Sequence, residues 1–264
     1  QDLPTGSTET RGSTLWLNDR GRIEGDSYFF REGEELFSLI SFHTSSADLQ
    51  RLIERHIIAD DVEIEADPTA GYFVGFSESQ ADPGLREREQ ISLPGAGHYS
   101  RSPEGRFLFR EERGPEPFYF LEVSRAGDVT AAEESAPAWT RERILRKIPA
   151  LPAEAGPRDT PFDLGLLEPA VSFTKGCFLG QEVLARLKAQ GRSSRKLAIL
   201  RGKGTLPLPE EPVLADSRSR GRILVAVHEE EGWLALAQIR ADRELSSASE
   251  IRLENGGEVT GVDS

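Results

Sequence analysis

The chain carries one cysteine, Cys177, in 264 residues. A single thiol cannot close an internal disulfide. A disulfide-stapled scaffold of an oxidising compartment is therefore excluded, and a reducing cytoplasm is the expected setting. Methionine is absent. That is unusual at this length, so contiguous motifs weigh more than long-range spacings. Apolar runs are short: residues 197–200 and 223–227 are strand-sized, well below the roughly 20 residues a membrane-spanning helix needs. No secretory signal is read near the N-terminus, where residues 1–12 look like loop. Basic charge is the scarcer sign, with 32 Lys and Arg against 45 Asp and Glu and a net charge of −13. Such acidity favours solubility and argues against a nucleic-acid partner, which calls for a basic footprint. No P-loop, dinucleotide fingerprint or nucleophile elbow occurs. The four histidines, His43, His56, His98 and His228, lack metal-ligand spacing. No metal and no membrane is expected.

What is present fits a globular α+β protein, with 37% hydrophobic and 29% charged residues. Residues 13–17 read as a strand, 18–22 as a turn, and 27–30 and 36–42 as further strands. Ser45-Ser46-Ala47-Asp48 opens a helix running to about His56, burying Leu49, Leu52, Ile53 and His56. Residues 62–65 alternate like a half-buried strand. Short strands follow at 72–76, 107–110 and 118–123, with loop and a short helix expected over 79–89. A helix at 136–148 uses Trp139, Ile144 and Leu145 as core residues, and the Pro-rich stretch 149–161 crosses irregularly. After Gly191 the pattern becomes strands at 196–201, 212–214, 221–228, 233–240, 249–253 and 258–262. Regularly spaced turns between them point to a small antiparallel barrel or sandwich.

One segment reverses the charge of the whole. Between Val171 and Thr205 lie eight basic residues, Lys175, Arg186, Lys188, Arg192, Arg195, Lys196, Arg201 and Lys203, and one acidic residue, Glu182. This is either a solvated basic face or a site for an anionic ligand. The segment opens with Lys175-Gly176-Cys177-Phe178-Leu179-Gly180-Gln181-Glu182. Residues 181–190 read as a helix with Val183, Leu184 and Leu187 on one face and Gly191 as its C-terminal cap. Residues 175–180 then form a loop at a helix N-terminus, where exposed amides attract anions and favour a thiolate. With Lys175 two residues away, Cys177 is either a reactive thiol or a small buried core residue.

The eight-residue motif, followed by Arg186 and by Gly191-Arg192, resembles the signature of the YgfZ-type folate-binding family, relatives of the glycine-cleavage T-protein aminomethyltransferase. Residues 16–23, 55–64, Arg143-Ile144 and 226–240 resemble further family segments, so the likeness spans nearly the whole chain. It implies the aminomethyltransferase-like fold, in which small α/β domains form a ring ahead of a C-terminal antiparallel β-barrel. Residues 1–70 and 130–192 would form the folate-binding portion, 71–129 a second α/β portion and 193–264 the barrel. The implied ligand is tetrahydrofolate, and the implied role is support of iron–sulfur cluster assembly or repair, with iron–sulfur proteins or their assembly factors as partners.

Carried over by residue, the motif gives Cys177 and Lys175 as reactive groups and Gly176, Gly180, Gln181 and Glu182 as ligand-binding positions. A pterin offers a fork of N–H donors that a carboxylate accepts as a pair. Glu182 and Asp163 are the candidates, though Glu182 could equally cap its own helix. Folates end in one or more glutamates, and Arg186 and Arg192 could receive those carboxylates; Arg143 is a further possible anion contact. The sequence departs from the family at Pro161-Phe162-Asp163, where Pro-x-Glu is usual, and at Lys147-Ile148-Pro149, where Gly-x-Pro is usual. The leading part of the family's first domain has no match, so its residues are not carried over. Two other functions stay open: a true aminomethyltransferase, and a non-catalytic folate carrier in which Cys177 is merely buried.

Overall fold

The structure, a computed structural model, describes residues 10–57, 61–67, 72–78, 92–114, 116–123, 132–191, 193–241 and 251–263. The chain divides into two compact units, Leu15–Asp26 with Thr140–Ser264, and Asp2–Thr14 with Ser27–Trp139. Strands β1 (Arg11–Leu17), β2 (Ile23–Arg31) and β3 (Phe37–Ile40) form a sheet in that order, and β1 and β2 contribute residues to both units.

The unit holding the C-terminal half is built on a closed barrel. Its strands are β8 (Arg195–Lys203), β9 (Pro212–Ala215), β10 (Arg218–Glu229), β11 (Gly232–Arg240), β12 (Ile251–Leu253) and β13 (Glu258–Asp263), in the order β10-β11-β8-β13-β12-β9. Of the two architectures the turn spacing allowed, closure wins, and it removes the exposed strand edges a sandwich would leave. The inner face is small and apolar: Ala198, Leu200, Ala235, Ala237 and Ile239 meet Val213, Ile223, Trp233 and Leu253. The outer face of β8 and β11 is also covered. Leu197, Ile199, Leu234 and Leu236 join Leu15, Leu17, Ile23, Ile144, Leu164 and Leu184 in a second core. Burial on both faces explains why residues 197–200 and 234–237 read as continuous apolar runs rather than alternating ones.

The other unit is rich in rings. Strands β4 (Tyr72–Ser77), β5 (Tyr99–Arg101), β6 (Phe107–Glu111) and β7 (Phe118–Val123) form a sheet ordered β4-β7-β6-β5. Phe30, Phe107, Phe109, Phe118 and Phe120 pack with Tyr28 and Tyr99 in its core, and Phe42, Phe73 and Trp139 border them. Beneath them Glu111 is almost fully buried. Its carboxylate accepts hydrogen bonds from Tyr28 Oη and from Arg113 Nε (3.0 Å) and Nη2 (2.9 Å). Burial raises the Glu111 pKa, but the Arg113 charge and these hydrogen bonds outweigh it and hold it down at about 2.

Helix α1 (Ser46–Glu54) starts as its sequence signals, with Ser45 Oγ accepting from Asp48 N (3.1 Å). It buries Leu49 and Leu52; Ile53 is half-buried, and His56, expected inside, is exposed. Residues 62–65, expected as a strand, are irregular, and Val62 is exposed. Their apolar alternation has no ladder partner among the described residues to turn it into a sheet. Helix α2 (Ala132–Leu145) stops short of the expected end at Ile148. Lys147 adopts a left-handed backbone (φ 55°) and Pro149 follows, so the helix cannot continue. The strand β5 is too short to have stood out in the sequence, and residues 79–89, expected as loop and short helix, lie outside the described residues.

Candidate functional site at the Lys175–Glu182 loop

The motif sits between two anchored pieces of chain. Upstream, a single 3₁₀ turn spans Pro161–Leu164, capped by a reciprocal box. Asp163 Oδ2 accepts from Thr160 N (3.0 Å) and Oγ1 (2.8 Å), while Thr160 Oγ1 accepts from Asp163 N (3.3 Å). A short helix, α3 (Leu167–Ala170), leads into the loop. Downstream, helix α4 (Gln181–Ala189) is pinned by the fully buried Leu184, with Val183 and Leu187 half-buried beside it. Gly191, in a left-handed conformation (φ 88°), closes it, its N–H donating to Lys188 O (3.0 Å).

The loop is held to the protein at Gly180. Its φ is +81°, and an added Cβ would lie 2.6 Å from Gly21 Cα and 2.8 Å from both Asn18 O and Gly21 N. Backbone therefore packs on backbone, which only glycine permits. The opposing turn is itself rigid: Asn18 Oδ1 accepts from Arg20 N and Arg22 N (3.0 Å each), and Gly21 N donates to Asn18 O (2.9 Å). No side chain caps the first amides of α4. Instead Gln181 turns back on the loop, its Oε1 accepting from Phe178 N (3.2 Å) while its own N–H donates to Phe178 O (3.2 Å).

Two rings and two ammonium groups line the loop. Phe173 and Phe178 are half-buried and meet edge to face, with centroids 6.4 Å apart. Lys175 Nζ lies 5.0 Å from the Phe178 centroid and Lys188 Nζ 4.5 Å from that of Phe173, within cation–π range. Lys175 is half-buried, and that loss of solvent pushes its pKa down from the usual lysine value. Cys177 is exposed, so it is not the small core residue that a lone cysteine most often becomes. Gly176 is exposed as well.

The remaining predicted positions separate into two groups. Glu182 and Arg186 are exposed on α4, and Arg186 has no ion-pair partner among the described residues. Asp163 and Arg143 are engaged in the protein's own interactions. Asp163 serves the Thr160 cap, with Arg22 Nη1 at 3.9 Å. Arg143, only 4% exposed, makes a paired contact with Glu154 (Nη2–Oε1 2.7 Å, Nη1–Oε2 2.9 Å) and donates to Ile148 O (3.0 Å). Arg192 lies outside the described residues.

Sequence reasoning gave no site role to the Asn18–Arg22 turn or Phe173, and counted Lys188 only as one of the basic residues of the segment. The turn was legible as a turn, but its docking on Gly180 joins residues about 160 positions apart, a pairing no local pattern encodes. It also missed Asp159, which is 1% exposed and accepts from Arg222 Nη2 (2.7 Å), Gln238 Nε2 (2.9 Å) and Gly156 N (3.2 Å). Its carbonyl accepts from Ile23 N (3.0 Å), so it ties the irregular crossing to the barrel and to the start of β2. Among the described residues, no group of three or more His, Cys, Asp or Glu could hold a metal ion.

Known proteins resemble this chain in both sequence and fold. No protein-family model matches it. The tRNA-modifying protein YgfZ of Cronobacter sakazakii is 34% identical over 100 residues, covering 35% of this chain and 30% of that protein. The tRNA-modifying protein YgfZ of Colwellia psychrerythraea is 29% identical over 142 residues, 49% of this chain and 44% of that protein. The YgfZ of Photobacterium profundum is 24% identical over 212 residues, 76% and 63% of the two chains. The chain thus spans less than two thirds of the length of these curated relatives. In structure it matches the glycine cleavage system aminomethyltransferase T of Bartonella henselae with a TM-score of 0.66, at 16% identity, over 98% of this chain and 75% of that one. That likeness extends to the fold, a mixed α/β arrangement with a six-stranded antiparallel barrel on the C-terminal side.

Proposed function

We propose that this chain, a YgfZ-type protein with the aminomethyltransferase fold, binds tetrahydrofolate at the Lys175–Glu182 loop and supports iron–sulfur cluster assembly or repair through the thiol of Cys177. The observation that carries the reading is the loop itself. The loop carries an exposed thiol, and two half-buried rings and two ammonium groups line it, on a backbone fixed by the Gly180–Gly21 contact.

These residues suit a folate. The ligand is a reduced pterin, planar in its pyrimidine ring, joined through an aminobenzoyl ring to one or more glutamates. Half-buried phenyl faces suit the rings, since stacking there keeps both surfaces from water. Glu182 is the motif carboxylate free to accept the pterin N–H fork, because Asp163 already serves the Thr160 cap. Arg186 and, from the sequence alone, Arg192 are the residues assigned to the glutamate carboxylates, with Lys175 next to the rings. Bound tetrahydrofolate would supply one-carbon chemistry at its ring nitrogens. The protein's own contribution is to orient the rings, to neutralise the tail and to present Cys177 two residues from Lys175, whose partial burial lowers its pKa.

The curated relatives are named for tRNA modification. A chain with a net charge of −13 is a poor direct partner for RNA. Support of an iron–sulfur enzyme that modifies tRNA fits both the name of the relatives and this acidity. The decisive test replaces Cys177 by Ala in cells and follows the activity of iron–sulfur enzymes together with the tRNA modifications that depend on them. Loss of both, with tetrahydrofolate binding retained in the purified variant, is the expected result. Full activity of the Cys177→Ala protein would leave only a folate carrier.

A further inference from the structure

The turn that receives the motif is shaped from within by one residue. Asn18, half-buried between β1 and β2, makes four hydrogen bonds inside the turn. Its Oδ1 accepts from Arg20 N and Arg22 N (3.0 Å each), its N–H donates to Arg22 O (3.0 Å) and its carbonyl accepts from Gly21 N (2.9 Å). A side-chain oxygen that takes backbone N–H groups two and four residues on holds the chain in a turn. The neighbouring side chains point elsewhere: Asp19 and Arg20 are exposed, and Arg22 sends its guanidinium to Arg158 O. Gly21 is buried with φ +67°, and an added Cβ would lie 3.2 Å from Leu184 Cδ2 and 3.3 Å from its Cγ. The turn is therefore seated on the first turn of α4, against the Gly180 cap and the buried Leu184 together. Two glycines meet there, and neither has a side chain with which to hold the contact. From Gly180 the contacts continue into the loop. Gln181 clasps Phe178 through its backbone N–H and its Oε1 (3.2 Å each), and Lys175 Nζ lies 5.0 Å from the centroid of the Phe178 ring.

We propose that Asn18 is a positioning residue for the Lys175–Glu182 loop: its side-chain oxygen sets the turn on which Gly180 is seated, and through Gln181 it fixes where Phe178 and Lys175 stand. The ligand these groups receive is taken from the folate reading above, on which that part of the inference rests. Asn18 acts through other residues and needs no contact with the ligand. Its effect on binding follows from the precision a site demands, since a displacement of about 1 Å in a positioned group can cost up to about 100-fold. The brace requires an acceptor oxygen at the place of Oδ1, which a carboxylate supplies and a methyl group does not. Lys175 reports on the same geometry without any ligand. Partial burial lowers its pKa, and a slackened loop would return its amine to water.

The test compares Asn18→Ala, Asn18→Ser and Asn18→Asp in the full chain, each checked for folding by circular dichroism. Gly165→Ala is the control, because it strains a left-handed residue outside the turn and the loop. Two quantities are read: tetrahydrofolate affinity by calorimetry, and the rate of Lys175 acetylation at neutral pH relative to the exposed Lys203, by mass spectrometry. Asn18→Ala should weaken binding about tenfold or more and abolish the lead of Lys175 over Lys203. Asn18→Asp should restore both, and Asn18→Ser, whose shorter hydroxyl mimics the turn more weakly, should fall between. Gly165→Ala should lose stability in urea yet keep wild-type affinity and labelling. Unchanged affinity or unchanged labelling in Asn18→Ala overturns the inference, as does a Gly165→Ala protein that loses both, since any destabilisation would then suffice. Absence of tetrahydrofolate binding to the wild type overturns the folate reading alone, and the labelling comparison then decides the positioning role by itself.

Discussion

Replacing Gly180 by Ala is the sharpest structural perturbation of the motif, because two independent costs fall on one methyl group. The left-handed backbone (φ +81°) costs an L-residue roughly 1–2 kcal/mol. The new Cβ would also lie 2.6 Å from Gly21 Cα and 2.8 Å from Asn18 O and Gly21 N. These are backbone atoms in a turn braced by the Asn18 hydrogen bonds, so relief requires moving the turn, and overpacking of this kind costs about 1–3 kcal/mol. The sum is about 2–5 kcal/mol, and at about 2–4 °C per kcal/mol for a domain of this size a 3 kcal/mol loss lowers Tm by about 6–12 °C. Two glycines calibrate the measurement. Gly165 has φ +67° but open space around its Cβ, so Gly165→Ala should cost only about 1–2 kcal/mol. Gly176 lacks both the positive φ and any neighbour within 4 Å, and its replacement by Ala should be neutral or slightly stabilising, by up to about 1 kcal/mol. Urea denaturation of the three variants gives the order directly. A Gly180→Ala protein as stable as Gly165→Ala would refute the claim that the motif is anchored by backbone contact with the Asn18–Arg22 turn.

Other consequences follow from the buried charges and from Lys175. Glu111→Gln leaves the Arg113 charge without its partner in the aromatic unit, and should cost about 3–5 kcal/mol in chemical denaturation. Because the Glu111 pKa is depressed from 4.5 to about 2, its stabilisation is complete above pH 4.5 and is lost as pH falls toward 2. The wild type should therefore show a steeper loss of stability than Glu111→Gln over that window, and parallel curves would contradict the assignment. Arg143→Met should destabilise by about 3–5 kcal/mol by stranding Glu154, and a folded fraction rescued by low temperature should bind folate normally. Weakened binding in that fraction would instead give Arg143 a ligand contact. Desolvation raises the neutral fraction of Lys175, so mass-spectrometric mapping of limited acetylation at neutral pH should find it modified ahead of exposed lysines such as Lys203. Equal labelling would remove the basis for coupling Lys175 to the thiol.

Legibility in the sequence tracked how local each feature is. The barrel strands could be read from their turn spacing, and α4 from the apolar triplet Val183, Leu184 and Leu187 between two glycines. Residues 62–65 have the alternation of a strand yet stay irregular, because a strand is completed by a partner and not by its own pattern. The motif was conspicuous as a string of residues and its place before a helix could be read locally, whereas the sequence left open whether Cys177 is exposed or buried. The turn that receives Gly180, the Asp159 node and the commitment of Arg143 to Glu154 are different in kind. Arg143 and Asp163 looked equally suited to a ligand in the sequence, since an arginine and a carboxylate serve internal pairs and bound anions with the same chemistry. Only the positions of Glu154 and Thr160 reveal that both already have partners.

Tetrahydrofolate binding measured by calorimetry bears most directly on the proposed site, with the wild type, Lys175→Ala and Arg186→Ala/Arg192→Ala titrated side by side. The expected result is saturable one-to-one binding by the wild type, weakened about tenfold or more when Lys175 or the arginine pair is removed. No heat and no saturation with the folded wild-type protein would contradict the account at its centre.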